Sequence, residues 1–434
     1  MAFTVWLPIA VLFVLLFMKI PVAFSLATST LMYFMLNPGS MTTDMVVQNM
    51  ISGTTSFTYL AIPFFTAAGV IFNYSGITER LMNLCELIVG KFAGGLAQVN
   101  IVLSALMGGL SGSANADAAM QSKMLVPQMN RLGYSNAFST VVTVVSSCIT
   151  PIIPPGICLI LYATASGVSI ASMFYAGYLP GALIMAAEMV MGGYMARKRG
   201  YKATRERFGT AKEFAQNLKQ SIWALFLPFG LVMGLRMGVF TPTEAGAMCI
   251  VYALLVGALI YRTIKPKMMI PIIRESVEAT SGIMFIICAS LAFGKFLTWE
   301  RIPMIISEAI LSICHTQWQF LLLVNVLLII VGMFFEGGAA MILLAPLLVP
   351  AAQSLGVNLI HFGIVMCINL TIAGVTPPFG AMMFVSTSIT GCSFEDYCKE
   401  VWPWCILLFG VLFLLTYVPD IILCVPRLLG AAGV

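Results

Sequence analysis

The sequence predicts an all-α polytopic membrane protein made of two inverted repeats, each with a re-entrant helical hairpin and a helix broken at a Pro-Pro step. Three observations predict it. Of 434 residues, 60% are hydrophobic and 9% charged, where a soluble domain carries about 25% charged residues. No soluble core hides that much apolar surface, and helices are the economical way to cross a bilayer. The two halves match at a fixed spacing, and each half interrupts its apolar run twice with small polar residues and prolines.

The opening run "MAFTVWLPIAVLFVLLF" lacks a basic leader and a small-residue cleavage site. It reads as a first membrane segment and not as a removed signal peptide. Eight of the 22 Lys and Arg fall between 197 and 219, and a second basic stretch runs from Arg262 to Arg274. Loops rich in Lys and Arg stay in the cytoplasm, so 197–219 and 262–274 are placed there. Between them, 222–238 and 243–261 are each long enough to cross once, which returns the chain to the same side. The long loop divides the chain into 1–219 and 220–434.

The repeat is read from matches 223 residues apart, since 377 − 154 = 223. Pro154-Pro155 matches Pro377-Pro378, Leu125-Val126-Pro127 matches Leu348-Val349-Pro350, and Leu132-Gly133 matches Leu355-Gly356. Thr164 and Pro180 match Thr387 and Pro403, so no gap is expected in this register. Leu and Val recur everywhere, but four proline pairs, with the glycine pairs Gly109–Gly332 and Gly133–Gly356, do not arise at one offset from apolar composition. The first repeat is followed by the basic loop and the second by a tail with only Arg427, an asymmetry that favours inversion.

Within the repeats, 96–110 and 116–132 flank the break at Ser111-Gly112-Ser113-Ala114-Asn115, and 317–335 and 339–354 flank Glu336-Gly337-Gly338. Each arm is shorter than the roughly 20 residues of a full crossing. Both pairs therefore read as re-entrant hairpins, at about 96–132 and 317–354, with tips near mid-membrane. Backbone leaves the helix at that depth only where protein or a wet cavity surrounds it. The stretches "CITPIIPPGI" (148–157) and "AGVTPPFGAM" (373–382) break a second pair of helices, about 135–168 and 358–390. Proline lacks the amide donor and clashes with the preceding turn, so each Pro-Pro step frees carbonyl oxygens. Freed carbonyls and hydroxyls suit a small hard cation, and exposed helix N-termini favour an anion.

Three carboxylates stand out, because charge at membrane depth is costly. Asp117 fits a cation ligand, a helix cap or a proton carrier; Glu244, after "FTPT", fits a first-turn residue; Glu336 sits at or near the second tip. The eleven cysteines are scattered singly with no C-x-x-C and read as packing residues. His315 and His361 are far apart. With no paired-His metal motif, no G-x-S-x-G and no G-x-x-x-x-G-K-[ST], neither an enzyme nor an ATP-driven pump is expected, and nothing points to nucleic acid or an organic cofactor.

Taken in order, "SGSANADAAM" (111–120), "PIIPPGI" (151–157), "TPTEAGA" (241–247), "EGGAAMILLAPLLVP" (336–350) and "GVTPPFGAMMF" (374–384) resemble the large membrane subunit of tripartite ATP-independent periplasmic (TRAP) transporters. The resemblance spans essentially the whole chain. It implies a sodium-coupled elevator in the bacterial inner membrane, surrounded by lipid. It also implies uptake of a small organic acid anion (carboxylate, sugar acid or sulfonate) delivered by a periplasmic binding protein, and a separate small four-helix membrane partner. Carried onto this chain, it implies sodium at Ser111, Ser113, Asn115, Thr150, Ile153, Pro155, Gly337, Thr371, Gly374 and Thr376. The substrate is expected at Ser113, Asn115, Asp117, Pro155, Gly337, Gly338 and Pro378. A self-sufficient sodium–anion symporter without a binding protein stands as the alternative.

Overall fold

A computed structural model describes residues 3–18, 20–37, 43–55, 57, 59–205, 207, 209–431 and 433. The first half runs α1 (Phe3–Phe17), α2 (Val22–Leu36), α3 (Thr43–Thr55), α4 (Ala61–Tyr74), α5 (Ile77–Val89), α6 (Gly95–Gly108), α7 (Ala114–Met124), α8 (Val126–Arg131), α9 (Asn136–Ser146), α10 (Ile157–Ser166) and α11 (Ile170–Lys198). The second runs α12 (Ala211–Arg236), α13 (Pro242–Leu255), α14 (Met269–Trp299), α15 (Ile302–Ile313), α16 (Gln317–Phe334), α17 (Gly337–Ser354), α18 (Leu359–Val375), α19 (Ala381–Thr390), α20 (Phe394–Tyr417) and α21 (Pro419–Leu428). Among the described residues six helices are long and apolar enough to cross a membrane, and there is no strand.

The helices start where short polar side chains can take up the orphan amides of a first turn. Ser113 caps α7, Ser135 caps α9, Ser169 caps α11, Glu336 caps α17, Asn358 caps α18 and Ser393 caps α20. Glu244 closes a capping box with Thr241, so the first-turn reading of that residue holds. The return arm of the first hairpin divides at Leu125, just before Pro127, whose nitrogen has no hydrogen to donate.

The broken helices form the centre. From Phe138 to Ser146 and from Ile360 to Val375 every residue is buried, so these helices are enclosed by other parts of the protein. They lie antiparallel. Asn136 Nδ2, at the start of α9, donates to Thr390 O at the end of α19 (3.1 Å), and Tyr162 Oη of α10 donates to Leu359 O at the start of α18 (2.7 Å). The basic loop packs on one face of this pair. Ser135 N donates to Tyr201 Oη (3.0 Å) and Arg199 pairs with Glu400 (2.8 Å). Thr204 N donates to Gly90 O (2.9 Å) beside the base of the first hairpin. The second hairpin closes at the opposite end, where Gln317 Nε2 donates to Leu355 O (3.0 Å).

A separate, smaller apolar cluster joins α1, α2, α3 and the end of α14 around Tyr33, Phe34, Phe293 and Phe296. Tyr33 Oη donates to Glu300 there.

Two expectations need correction. The N-caps before the Pro-Pro steps, Ser113 and Glu336, Ser135 and Asn358, keep the 223-residue spacing, but the caps beyond them, Gly156 and Gly380, Gly167 and Gly391, Ser169 and Ser393, are 224 apart. Phe379 is the extra residue, so Thr164 and Thr387, or Pro180 and Pro403, do not stand at equivalent distances from their caps. The second tip is also shorter than expected. Only Phe335 and Glu336 leave the helix, while Gly337 and Gly338 form the first turn of α17.

Candidate functional site

Four helix N-termini converge on one cavity. Its walls are the starts of α7 (Ser113, Ala114, Asn115), α10 (Ile157, Cys158), α17 (Glu336, Gly337, Gly338) and α19 (Ala381, Met382). Thr371 and Gly374 of α18 and Ile283 and Ile286 of α14 complete them. Its volume is about 70 Å³, room for roughly five water-sized particles. Each N-terminus carries about half a positive charge and unsatisfied amides, and α10 and α19 begin at Gly156 and Gly380 with no side-chain cap. Converging N-termini of this kind attract anions. Among the described residues Glu336 is the only charged side chain on the wall; its Oε2 accepts from Ala339 N (3.3 Å) and so offsets the positive end of α17.

The first tip is held by backbone. Gly112 has φ of +60°, and a Cβ there would lie 2.4 Å from Pro155 O; Ile157 N donates to Gly112 O (3.2 Å). Only glycine combines that conformation with that approach. Behind the tip, the Asp117 carboxylate accepts from Ser104 Oγ (2.9 Å), Thr150 Oγ1 (2.9 Å) and Gln121 Nε2 (2.7 Å). Ser146 Oγ and Asn100 extend this buried network along α9. It ties both arms of the hairpin to the first break. The second break is secured differently: Tyr397 Oη of α20 donates to Val375 O (3.1 Å), one of the carbonyls freed by the step. Both Pro-Pro peptides are cis.

The structure brings Ser113, Asn115, Gly337, Gly338, Thr371 and Gly374 to the cavity, but not the other expected residues. Asp117 faces its network, and Thr150 is committed to it. Ile153 wedges its side chain against Gly108 and Gly181. The Pro155 carbonyl faces Gly112. Pro378 is exposed. Thr376 Oγ1 donates to Ile372 O (2.8 Å), while its carbonyl and that of Gly374 turn toward Gly380. Ser111 Oγ and Asn115 Oδ1 are buried without a hydrogen-bond partner in the protein. Buried oxygens left in this way suit a cation such as sodium, since an unsatisfied polar group otherwise costs about 1–3 kcal/mol. Among the described residues no cluster of His, Cys, Asp and Glu fits a transition metal, and His361 is buried against Leu415 O (3.1 Å).

Residues 9–421 match the family model described as "Tripartite ATP-independent periplasmic transporter, DctM component". This chain belongs to that family. The DctM-family chain is 35% identical over 419 residues to the sialic acid TRAP transporter large permease protein SiaM of Vibrio cholerae, covering 96% of this chain and 97% of that one. It is 33% identical to the isethionate TRAP transporter permease protein DctMQ of Oleidesulfovibrio alaskensis, covering 95% of this chain and 66% of that longer protein. In fold it is similar to the YdaH transporter of Alcanivorax borkumensis, with a TM-score of 0.63 at 12% identity over 86% of this chain and 87% of that one. The family's members are transporter permeases and not enzymes, and this chain is an integral membrane protein.

Sequence reasoning did not single out Ile157, Cys158, Ala381 and Met382, which reach the cavity only because their helices begin there. Gln121 stands one turn from Asp117 on α7, whereas Tyr397 carried no local signal. Nor did Glu188 of α11, whose carboxylate is fully buried with neither oxygen bonded in the protein.

Proposed function

We propose that this chain is the large membrane subunit of a sodium-coupled importer for a small organic acid anion. The observation that carries the reading is the meeting of four helix N-termini at a cavity lined by Asn115, whose buried Oδ1 is unpartnered, with the unpartnered Ser111 Oγ on the same tip. The N-termini supply attraction for an anion, and the oxygens, with carbonyls freed at the two breaks, supply ligands for sodium. Binding both together neutralises charge that neither ligand could bring alone to membrane depth. The antiparallel broken helices support an inverted-repeat elevator, in which the two tips and breaks move as one body against a scaffold that includes α14.

The sialic acid and isethionate relatives support a substrate that is a carboxylate or sulfonate. The isethionate relative DctMQ, of which this chain covers 66%, supports a small membrane subunit as a partner. A periplasmic binding protein would deliver the anion to the inner membrane from outside. Proteoliposomes holding this chain, the small subunit and the loaded binding protein test this directly. Uptake is expected to follow an inward sodium gradient without ATP; equal uptake with potassium alone would overturn the sodium coupling, and equal uptake by this chain alone would overturn the partners.

A further inference from the structure

Beside the tip cavity lies a second, wider cleft of about 290 Å³ between α14 on one side and α10 and α17 on the other. The two share Leu161 and Ile342 as a common wall. Lys295 is the one charged side chain that lines the cleft, and it makes no ion pair or hydrogen bond among the described residues. Ser290, on the same helix, is nine-tenths buried, and its Oγ has no partner in the protein. Thr164 Oγ1 and Thr298 Oγ1 donate to Ile160 O (2.6 Å) and Gly294 O (2.7 Å), which leaves their lone pairs open.

We infer that this cleft is an entry site for a small hydroxylated organic anion on its way to the tips. The inference rests on the importer reading above and narrows its substrate. The donors, the Lys295 ammonium and the Ser290 hydroxyl, fit a carboxylate or sulfonate head. The acceptors, Thr164 and Thr298, fit hydroxyl groups on the same molecule, and the Leu161 and Ile342 side chains cover its carbon skeleton. The cleft is wider than the tip cavity of about 70 Å³, so it offers a waiting place on the same path.

Its position agrees with an entry role. Lys295 lies 21 residues beyond Arg274 on α14 (295 − 274), which at 1.5 Å per residue is roughly 32 Å, one hydrocarbon thickness. It therefore stands at the face opposite the basic loops. α10 and α17 run out toward that same face: Gly337 packs near Cys158 and Pro346 faces the cleft with Thr164.

The test is protection of Lys295 from an anionic amine reagent. The purified chain in nanodiscs of neutral lipid is treated with pyridoxal 5′-phosphate and borohydride, and labelled lysines are located by mass spectrometry. Isethionate, which carries a hydroxyl, is expected to lower labelling of Lys295 on the order of tenfold, the ratio about 1.4 kcal/mol supplies. Ethanesulfonate, without the hydroxyl, protects less, and labelling of Lys267 on the basic face does not change. Ser290→Ala keeps the amine and weakens the protection. Labelling that isethionate leaves unchanged, equal protection by ethanesulfonate, or protection by anionic lipid alone would overturn the inference. The measurement needs no sodium gradient, so protection that persists in a chain lacking sodium-driven uptake would separate this site from the coupling claim.

Discussion

Replacing Gly112 with alanine puts the tip geometry at risk in two measurable ways. At φ of +60° a non-glycine residue costs roughly 1–2 kcal/mol. The added Cβ would stand 2.4 Å from Pro155 O and 3.1 Å from Gly156 Cα, backbone atoms that cannot rotate aside. The tip must therefore move away from the start of α10 and lose the Ile157 N to Gly112 O bond, a further 0.5–1.5 kcal/mol or so. Together about 1.5–3.5 kcal/mol, at 1.4 kcal/mol per decade, predicts roughly a 10- to 300-fold rise in the sodium needed to order the site. The assay is thermal unfolding in detergent across a titration of sodium chloride against choline chloride, because an ion bound only by the folded state raises the melting temperature. Gly133→Ala is the control, since Gly133 has φ of +87° but no atom within 4 Å of a new Cβ; it loses stability without changing the sodium midpoint. A Gly112→Ala chain with the wild-type sodium midpoint would refute the reasoning.

Other consequences follow from the same contacts. Asp117→Asn turns one carboxylate oxygen into a donor, which faces either the Gln121 amide or the Ser104 and Thr150 hydroxyls, and leaves a buried mismatch of about 1–3 kcal/mol. It is expected to lower the melting temperature in sodium and choline alike, and an unchanged melting temperature would remove Asp117 from this structural role. Tyr397→Phe frees the Val375 carbonyl and should speed hydrogen exchange around residues 376–380; exchange at the wild-type rate would contradict the contact. In the basic loop, the Thr210 amide, with help from Arg205 and Arg207, holds the Glu213 carboxylate below its usual range. A lowered folded-state value stabilises the cap above the unfolded value of about 4.3 and loses that contribution as pH falls through the folded one. Exchange protection over the first turn of α12 should therefore be kept at pH 6 and lost on acidification below 4; protection independent of pH would count against the capping box.

The sequence carried the architecture further than the site. Ser113, Ser135, Asn358 and Ser393 are local signals, because a capping side chain acts on amides two or three residues away, and the Pro-Pro steps act on their own helix. The tip of the second hairpin was overestimated because Gly337 and Gly338 look like breakers, whereas the Glu336 cap lets them begin α17. Most of the Asp117 network could not be read in advance: Gln121 is one turn away on α7, but Ser104 and Thr150 lie 13 and 33 residues from it, and only the folded hairpin brings them together. The same holds for Ile283 and Ile286, which reach the cavity from α14, and for Lys295, which in sequence is one more lysine near a helix end. The extra Phe379 escaped because residues on both sides of it match at the original spacing by composition.

Direct binding of radioactive sodium to the purified chain tests the central claim that the tips and breaks form one ion and anion site. The account predicts saturable binding that Ser111→Ala and Asn115→Ala each weaken by roughly 10- to 100-fold, the factor that losing one buried oxygen ligand worth about 1–3 kcal/mol implies. Absence of saturable sodium binding, or binding that both well-folded variants leave unchanged, would contradict it.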